Sequence, residues 1–183
     1  MGHKHKHEHT HEHEHGRVPR EHKARAPQSA KVYVVTCSDS RTEATDEGGR
    51  ILRERLAAAG HEVTGSAIVP DDPQRIEAQL DLAREIGAQF ALITGGTGLS
   101  SRDSTFEALS RLVVKPLPGF GELFRKLSYD EIGSAAMLSR ALAGQLASGL
   151  FVFAMPGSPA AVRLACEKLI LPELTHVLEE LSR

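Results

Sequence analysis

The chain of 183 residues is short of several things, and each shortage removes a class of function. Two cysteines, Cys37 and Cys166, are too few for a disulfide framework, and both sit in apolar surroundings, which points to a reducing cytoplasmic compartment. The apolar runs are strand-sized, so nothing in the sequence approaches the ~18 residues of a membrane span. The N-terminus has no apolar stretch of the kind a secretory signal needs. The formal net charge is −2, which argues against general nucleic-acid affinity. Basic character is confined to the first 30 residues, where Lys and Arg outnumber Asp and Glu. Neither G-x-G-x-x-G nor G-x-x-x-x-G-K-[ST] occurs, so two familiar nucleotide-binding loops are excluded.

Residues 1–30 are of low complexity. His3, His5, His7, His9, His11, His13 and His15 alternate with Lys, Glu and Thr, and Arg, Pro and Ala follow. Such a segment cannot build a core and is expected to be a disordered tail. Its imidazoles form a candidate site for zinc, nickel or copper. The remainder, 31–183, is expected to be one domain.

That domain reads as alternating strands and helices. Lys31 to Cys37, Glu62 to Val69, Phe90 to Thr94 and Leu150 to Ala154 are short β-branched or apolar runs suited to strands covered on both faces. Between them, apolar residues recur at helical spacing, as in Ile51, Leu52, Leu56 and again in Ile76, Leu80, Ala83. The pattern predicts an α/β three-layer sandwich with a mainly parallel central sheet. After a helix through Leu112, Pro118-Gly119-Phe120-Gly121-Glu122 reads as a tight glycine turn. Residues 133–147 are Ala-rich and favour helix, although Ser148-Gly149 leaves a short antiparallel pair as the alternative. A helix from Ser158 and Pro159 is expected to end near Leu171, with Pro172 restarting the last one.

Right-handed crossovers bring the turns after parallel strands to one rim, where open α/β sheets bind ligands. The richest of these turns follows Phe90–Thr94: Gly95-Gly96-Thr97-Gly98, then Ser101, Arg102 and Asp103. Glycines there let backbone N–H groups approach an anion, and Arg102 adds a planar cation. Asp103 beside an anion nest implies a cation or a reacting group between them. In Pro70-Asp71-Asp72-Pro73, Asp72 is the N-cap and Pro73 the first helical residue, leaving Asp71 with no evident structural duty.

Thr94 to Gly98, Ser101-Arg102-Asp103, Pro118 to Glu122, Leu138-Ser139-Arg140 and Met155-Pro156-Gly157-Ser158 occur in the order and spacing of the MoaB/Mog proteins of molybdenum-cofactor biosynthesis. The sequence resembles that family over residues 31–183. Tyr129-Asp130-Glu131-Ile132-Gly133 and Phe153-Ala154-Met155 resemble the MoaB branch. The resemblance implies the molybdopterin-binding fold and transfer of the adenylyl group of Mg-ATP to the terminal phosphate of molybdopterin, releasing pyrophosphate. It places the two acids important in the family on Asp71 and Asp103, expected to hold Mg²⁺. The Gly95–Gly98 turn is the implied phosphate cradle, with Thr94, Ser101, Arg102, Pro118, Gly119 and Glu122 around it. Ser139, Arg140, Pro156, Gly157 and Ser158 are the implied lining of the pterin and phosphate pocket, with Ser38, Asp39 and Asp46 approaching from the first-strand loop. A homo-trimer or homo-hexamer that meets other proteins of the cofactor pathway is the implied assembly. The competing expectation is a non-catalytic molybdopterin carrier whose His-rich tail binds divalent metal.

Overall fold

The computed structural model describes residues 28–183, so the expected histidine site from His3 to His15 lies outside the described residues. Six strands form one sheet: β1 (Lys31–Cys37), β2 (Glu62–Val69), β3 (Phe90–Thr94), β4 (Val113–Pro116), β5 (Leu142–Leu146) and β6 (Phe151–Met155). Their spatial order is β2-β1-β3-β6-β5-β4. The pairs β1/β2, β1/β3 and β3/β6 are parallel, while β4/β5 and β5/β6 are antiparallel. Helices α1 (Glu47–Ala58), α2 (Pro73–Glu85), α3 (Thr105–Leu112), α4 (Pro118–Ile132), α5 (Pro159–Ala165) and α6 (Leu171–Leu181) cover both faces. The expected three-layer architecture is thus observed.

The layers follow from strand periodicity. Val32 and Val34 of β1, Phe90 and Leu92 of β3, and Phe151 and Phe153 of β6 point into a core shared with α1, α4 and α5. Their alternates Val35, Ala91, Ile93, Val152 and Ala154 point into a second core with Ile76, Leu80 and Ala83 of α2 and Leu109 of α3. With both faces buried, a one-residue slip would exchange the contents of two differently shaped cores, and this fixes the register. Cap residues set the helix starts: Asp46, Asp72 and Ser158 each accept a backbone N–H three residues on.

Three expectations change. Pro118 and Gly119 open α4 and Glu122 lies in its next turn, so the segment is helix rather than a tight turn. A Cβ on Gly121 would stand 2.6 Å from the Ala141 carbonyl oxygen, so the glycine serves close packing of the helix on the entry to β5. Residues 133–147 are not one helix: a single 3₁₀ stretch, Gly133–Leu138, gives way to β5, which pairs antiparallel with β6. The hairpin alternative holds because the Leu142–Leu146 side chains find a sheet edge to pack on, and this outweighs alanine's helix propensity. Finally, α5 and α6 are not separated at Pro172. A π-helical turn, Cys166–Ile170, joins them, with the Leu171 N–H bonded to the Cys166 carbonyl. The wider turn accommodates a proline that would otherwise clash with the carbonyl four residues back.

Among the described residues no helix is long and apolar enough to cross a membrane.

Candidate functional site

The parallel strands end together: Cys37 lies opposite Val69, and Thr36 opposite Thr94, itself opposite Met155. Strand order reverses between β1 and β3, where the loops on either side diverge and leave a crevice. A cleft of about 640 Å³ opens at this rim. That is within the range of small-molecule sites and suits a nucleotide-sized ligand.

Its floor is the β3 turn. Thr94, Gly95, Gly96, Thr97 and Gly98 all line the cleft. Gly95 and Gly96 have φ of 93° and 63°, the left-handed region that glycine alone enters without strain. The turn is pinned by Gly95 N–H donating to the Met155 carbonyl (3.1 Å) and Thr105 N–H donating to the Gly96 carbonyl (3.0 Å). From the β6 side come Pro156, Gly157 and Ser158 at the start of α5. From the β1 side come Ser38, Asp46 and Gly48, the last in the first turn of α1. Amide dipoles of that helix end favour negative charge in the cleft. Ser139 closes the rim beside Leu138.

Asp46 is buried by structure rather than left for ligand. Thr36 Oγ1 donates to it at 3.0 Å, Gly49 N–H at 2.9 Å, and Arg53 Nη1 stands 3.5 Å away. It fixes the start of α1 relative to β1.

The two aspartates enter the site unequally. Asp103 lines the cleft; its Oδ2 accepts the Ser100 N–H at 2.9 Å, and its Oδ1 has no partner among the described residues. Asp71 is not without structural duty, which corrects the reading of the sequence. Its carboxylate accepts from Ser104 N–H (3.0 Å), Ser104 Oγ (3.0 Å) and Thr105 Oγ1 (2.9 Å), 33 and 34 residues away. It complements the positive end of α3, whose own N-cap Ser104 makes no side-chain cap bond. A Cβ on Gly96 would overlap the Asp71 carboxylate, so the acid is seated directly against the glycine turn. Asp39 accepts the Asp71 N–H at 3.4 Å and does not line the cleft.

Arg140 also differs from expectation. Its Nε donates to the Thr97 carbonyl at 2.7 Å, Nη2 donates to the Gly98 carbonyl, and Nη1 pairs with Glu107. Its guanidinium carbon lies 4.7 Å from the centre of the Phe106 ring. The hydrogen bond from Arg140 holds the Glu107 carboxyl below its usual range. Arg140 therefore clamps the cradle through its carbonyls. It does not line the cleft, nor do Ser101 and Arg102, which are exposed, nor Pro118, Gly119 and Glu122.

Comparison with known proteins adds the decisive observation. Residues 33–176 match the family described as "Probable molybdopterin binding domain". Molybdenum cofactor biosynthesis protein B of Bacillus cereus is 51% identical over 165 residues, covering 89% of this chain and 97% of that protein. The chain belongs to the molybdenum cofactor biosynthesis protein B family. The Bacillus subtilis member is 46% identical over 167 residues, covering 90% and 97% of the two chains. Among solved structures, a molybdenum cofactor biosynthesis protein B aligns with TM-score 0.82 at 50% identity over 86% of this chain and 99% of the other. The tungsten cofactor synthesizing protein MoaB from Pyrococcus furiosus aligns with TM-score 0.79 at 37% identity, covering 86% and 100%.

In this member of the protein B family, no three carboxylate, imidazole or thiol groups gather as a metal site among the described residues. A dedicated cage is therefore not what the cleft offers. One uncommitted carboxylate oxygen at the edge of an amide cradle does fit Mg²⁺, which keeps several waters and is completed by phosphate oxygens. Asp103 meets that requirement, whereas Asp71 has given both oxygens to hydrogen-bond donors.

Cys37 lines the cleft but is buried, and burial pushes its thiol up to about 12. Cys166 is raised to about 11, again chiefly by burial. At pH 8 neither is a thiolate, so neither serves as nucleophile. Iodoacetamide is expected to leave both unmodified in the folded protein and to label both in denaturant, as mass spectrometry would register. Rapid native labelling of Cys37 would overturn this.

The sequence reading missed Thr36, Cys37, Ser40, Arg41, Gly48, Leu138 and Pro159 among the lining residues. Ser40 and Arg41 had a signal available: a basic residue inside a run of short polar groups at the end of a parallel strand.

Proposed function

We propose that the cleft transfers the adenylyl group of ATP to the terminal phosphate of molybdopterin. A phosphate oxygen of the pterin substrate forms the new bond to the α-phosphorus. The bond from that phosphorus to the oxygen bridging toward the β-phosphate breaks, and pyrophosphate leaves with the electron pair. Both reactants are anions, so catalysis rests on positioning and charge neutralisation. The observation carrying this reading is Asp103, a carboxylate with a spare oxygen at the rim of an amide cradle otherwise suited to anions. Mg²⁺ held by Asp103 and substrate phosphates would offset the negative charge that builds on the leaving group. The Gly96–Gly98 amides and the start of α1 hold phosphate oxygens, while Ser139 and Ser158 face the pterin. Asp71 acts by fixing the turn from behind. The membership of the chain in the protein B family supports the pterin as one substrate.

Incubation with molybdopterin and Mg-ATP should release pyrophosphate stoichiometrically with adenylylated pterin. A non-catalytic carrier would bind the pterin and release none. The commitment of Asp71 to α3 is the observation that keeps this second reading in view. A homo-trimer or homo-hexamer is the proposed assembly, to be read by light scattering.

The Arg140 clamp makes its own prediction. Lysine retains the charge but cannot donate to Thr97, Gly98 and Glu107 together. Arg140→Lys is expected to lower kcat at least tenfold with a smaller change in KM. Added guanidinium should partly restore an Arg140→Ala protein, a rescue that general destabilisation would not show.

A further inference from the structure

We propose that Arg41 is the residue that binds the polyphosphate chain of the nucleotide, an assignment that rests on the reading of the cleft as a site for phosphorylated substrates. Arg41 is the one Arg or Lys side chain that lines the cleft among the described residues. The other two arginines of the implied site are placed differently, Arg102 on the exposed outer turn and Arg140 behind the cradle. The lining otherwise carries two carboxylates, and one of these, Asp46, is offset by Arg53. Without Arg41 the cleft would face a polyanion with no lining side-chain cation.

The side chain is also held ready. Nη1 donates to the Thr45 carbonyl at 2.7 Å, and the rest of the fork has no partner among the described residues. The loop beneath it is tied at both ends: Ser38 Oγ accepts the Arg41 N–H at 3.2 Å, and the Thr42 N–H donates to Thr45 Oγ1 at 2.9 Å. The Asp46 N–H then closes on the Thr42 carbonyl at 2.9 Å, delivering the chain into α1. One anchored nitrogen and a free remainder suit a planar fork for bidentate contact with phosphate oxygens, at little further entropic cost. Its neighbour is the amino end of a 12-residue helix, so the two positive features act on the same anion.

The test is calorimetric binding of inorganic triphosphate, ATP and a simple phosphate monoester to the full chain, with Arg41→Gln and Arg41→Lys beside it. Arg41 is exposed and outside both cores, so matched thermal melts are expected to show unchanged folding. Wild-type protein should bind triphosphate and ATP, with Arg41→Gln about 10- to 100-fold weaker, as loss of a charge-assisted pair implies. Arg41→Lys should fall between, and the salt dependence of binding should flatten in Arg41→Gln. Equal binding by Arg41→Gln and wild type, or a loss confined to the monoester, would overturn the assignment. So would failure of the wild type to bind triphosphate. Arg41-dependent binding without pyrophosphate release would leave the assignment standing and remove adenylyl transfer instead.

Discussion

Asp103→Asn is expected to bind molybdopterin with near-native affinity and to release pyrophosphate at least about a hundredfold more slowly than the parent protein. The substitution is nearly isosteric. The amide oxygen of asparagine can still accept the Ser100 N–H that Asp103 accepts at 2.9 Å, so the turn keeps its shape. The loss is one negative charge at the edge of the cleft, where a divalent ion is proposed to sit. Binding of the pterin is proposed to draw on Ser139, Ser158 and the cradle and is expected to change little. Parallel pyrophosphate release and pterin fluorescence titration separate the two quantities. If the variant turns over like the wild type, the proposed role of Asp103 is wrong. If it loses binding and turnover together, Asp103 is a structural member of the turn.

Gly95→Ala is expected to be the most damaging single methyl group added to the cradle. At φ of 93° an L-residue is strained by roughly 1–3 kcal/mol. The new Cβ would also overlap the Cys37 carbonyl oxygen, a backbone atom locked into the parallel ladder and unable to rotate away. Overpacking of this kind adds about 1–3 kcal/mol. The sum, about 2–6 kcal/mol, is a large part of an ordinary domain's stability. For a chain of this size it corresponds to a fall in Tm of roughly 5–20 °C, measurable by calorimetry. Gly60→Ala is the internal control: Gly60 also has positive φ (82°), but its Cβ would meet no atom within 4 Å. It isolates the backbone strain from the collision, and the difference between the two variants reports the closeness of β1 to the cradle.

The strand and helix pattern was legible because β1, β3 and β6 are buried on both faces and each principal cap acts locally. Asp72 and Ser158 bond to residues three positions on, a distance that a sequence shows directly. Glycine spacing after β3 likewise exposed the cradle, since a left-handed turn has almost no other residue to use. What the sequence hid depends on distant partners. Asp71 looked spare because its donors are 33 and 34 residues later. Arg140 was expected in the pterin and phosphate pocket from the resemblance alone, and nothing in the sequence signals that the carbonyls of Thr97 and Gly98 will take up its fork. The turn expected from Pro118 to Glu122 failed for a related reason. Two glycines and a proline signal a break only where no neighbour requires the backbone to approach closely, and Ala141 does require it. Pro172 was misleading because a proline marks a helix boundary only if every turn has α-helical width.

The β5–β6 turn at Gly149 and the entry to β1 share the rim opposite the cleft, since β1 and β6 run in the same direction through the sheet. The earliest residue lining the cleft is Thr36. An affinity handle, fluorophore or surface tether attached at Gly149 or ahead of Lys31 would therefore leave the substrate entrance facing solvent. The protein can be immobilised base-down for single-molecule or flow measurements with its working end still open.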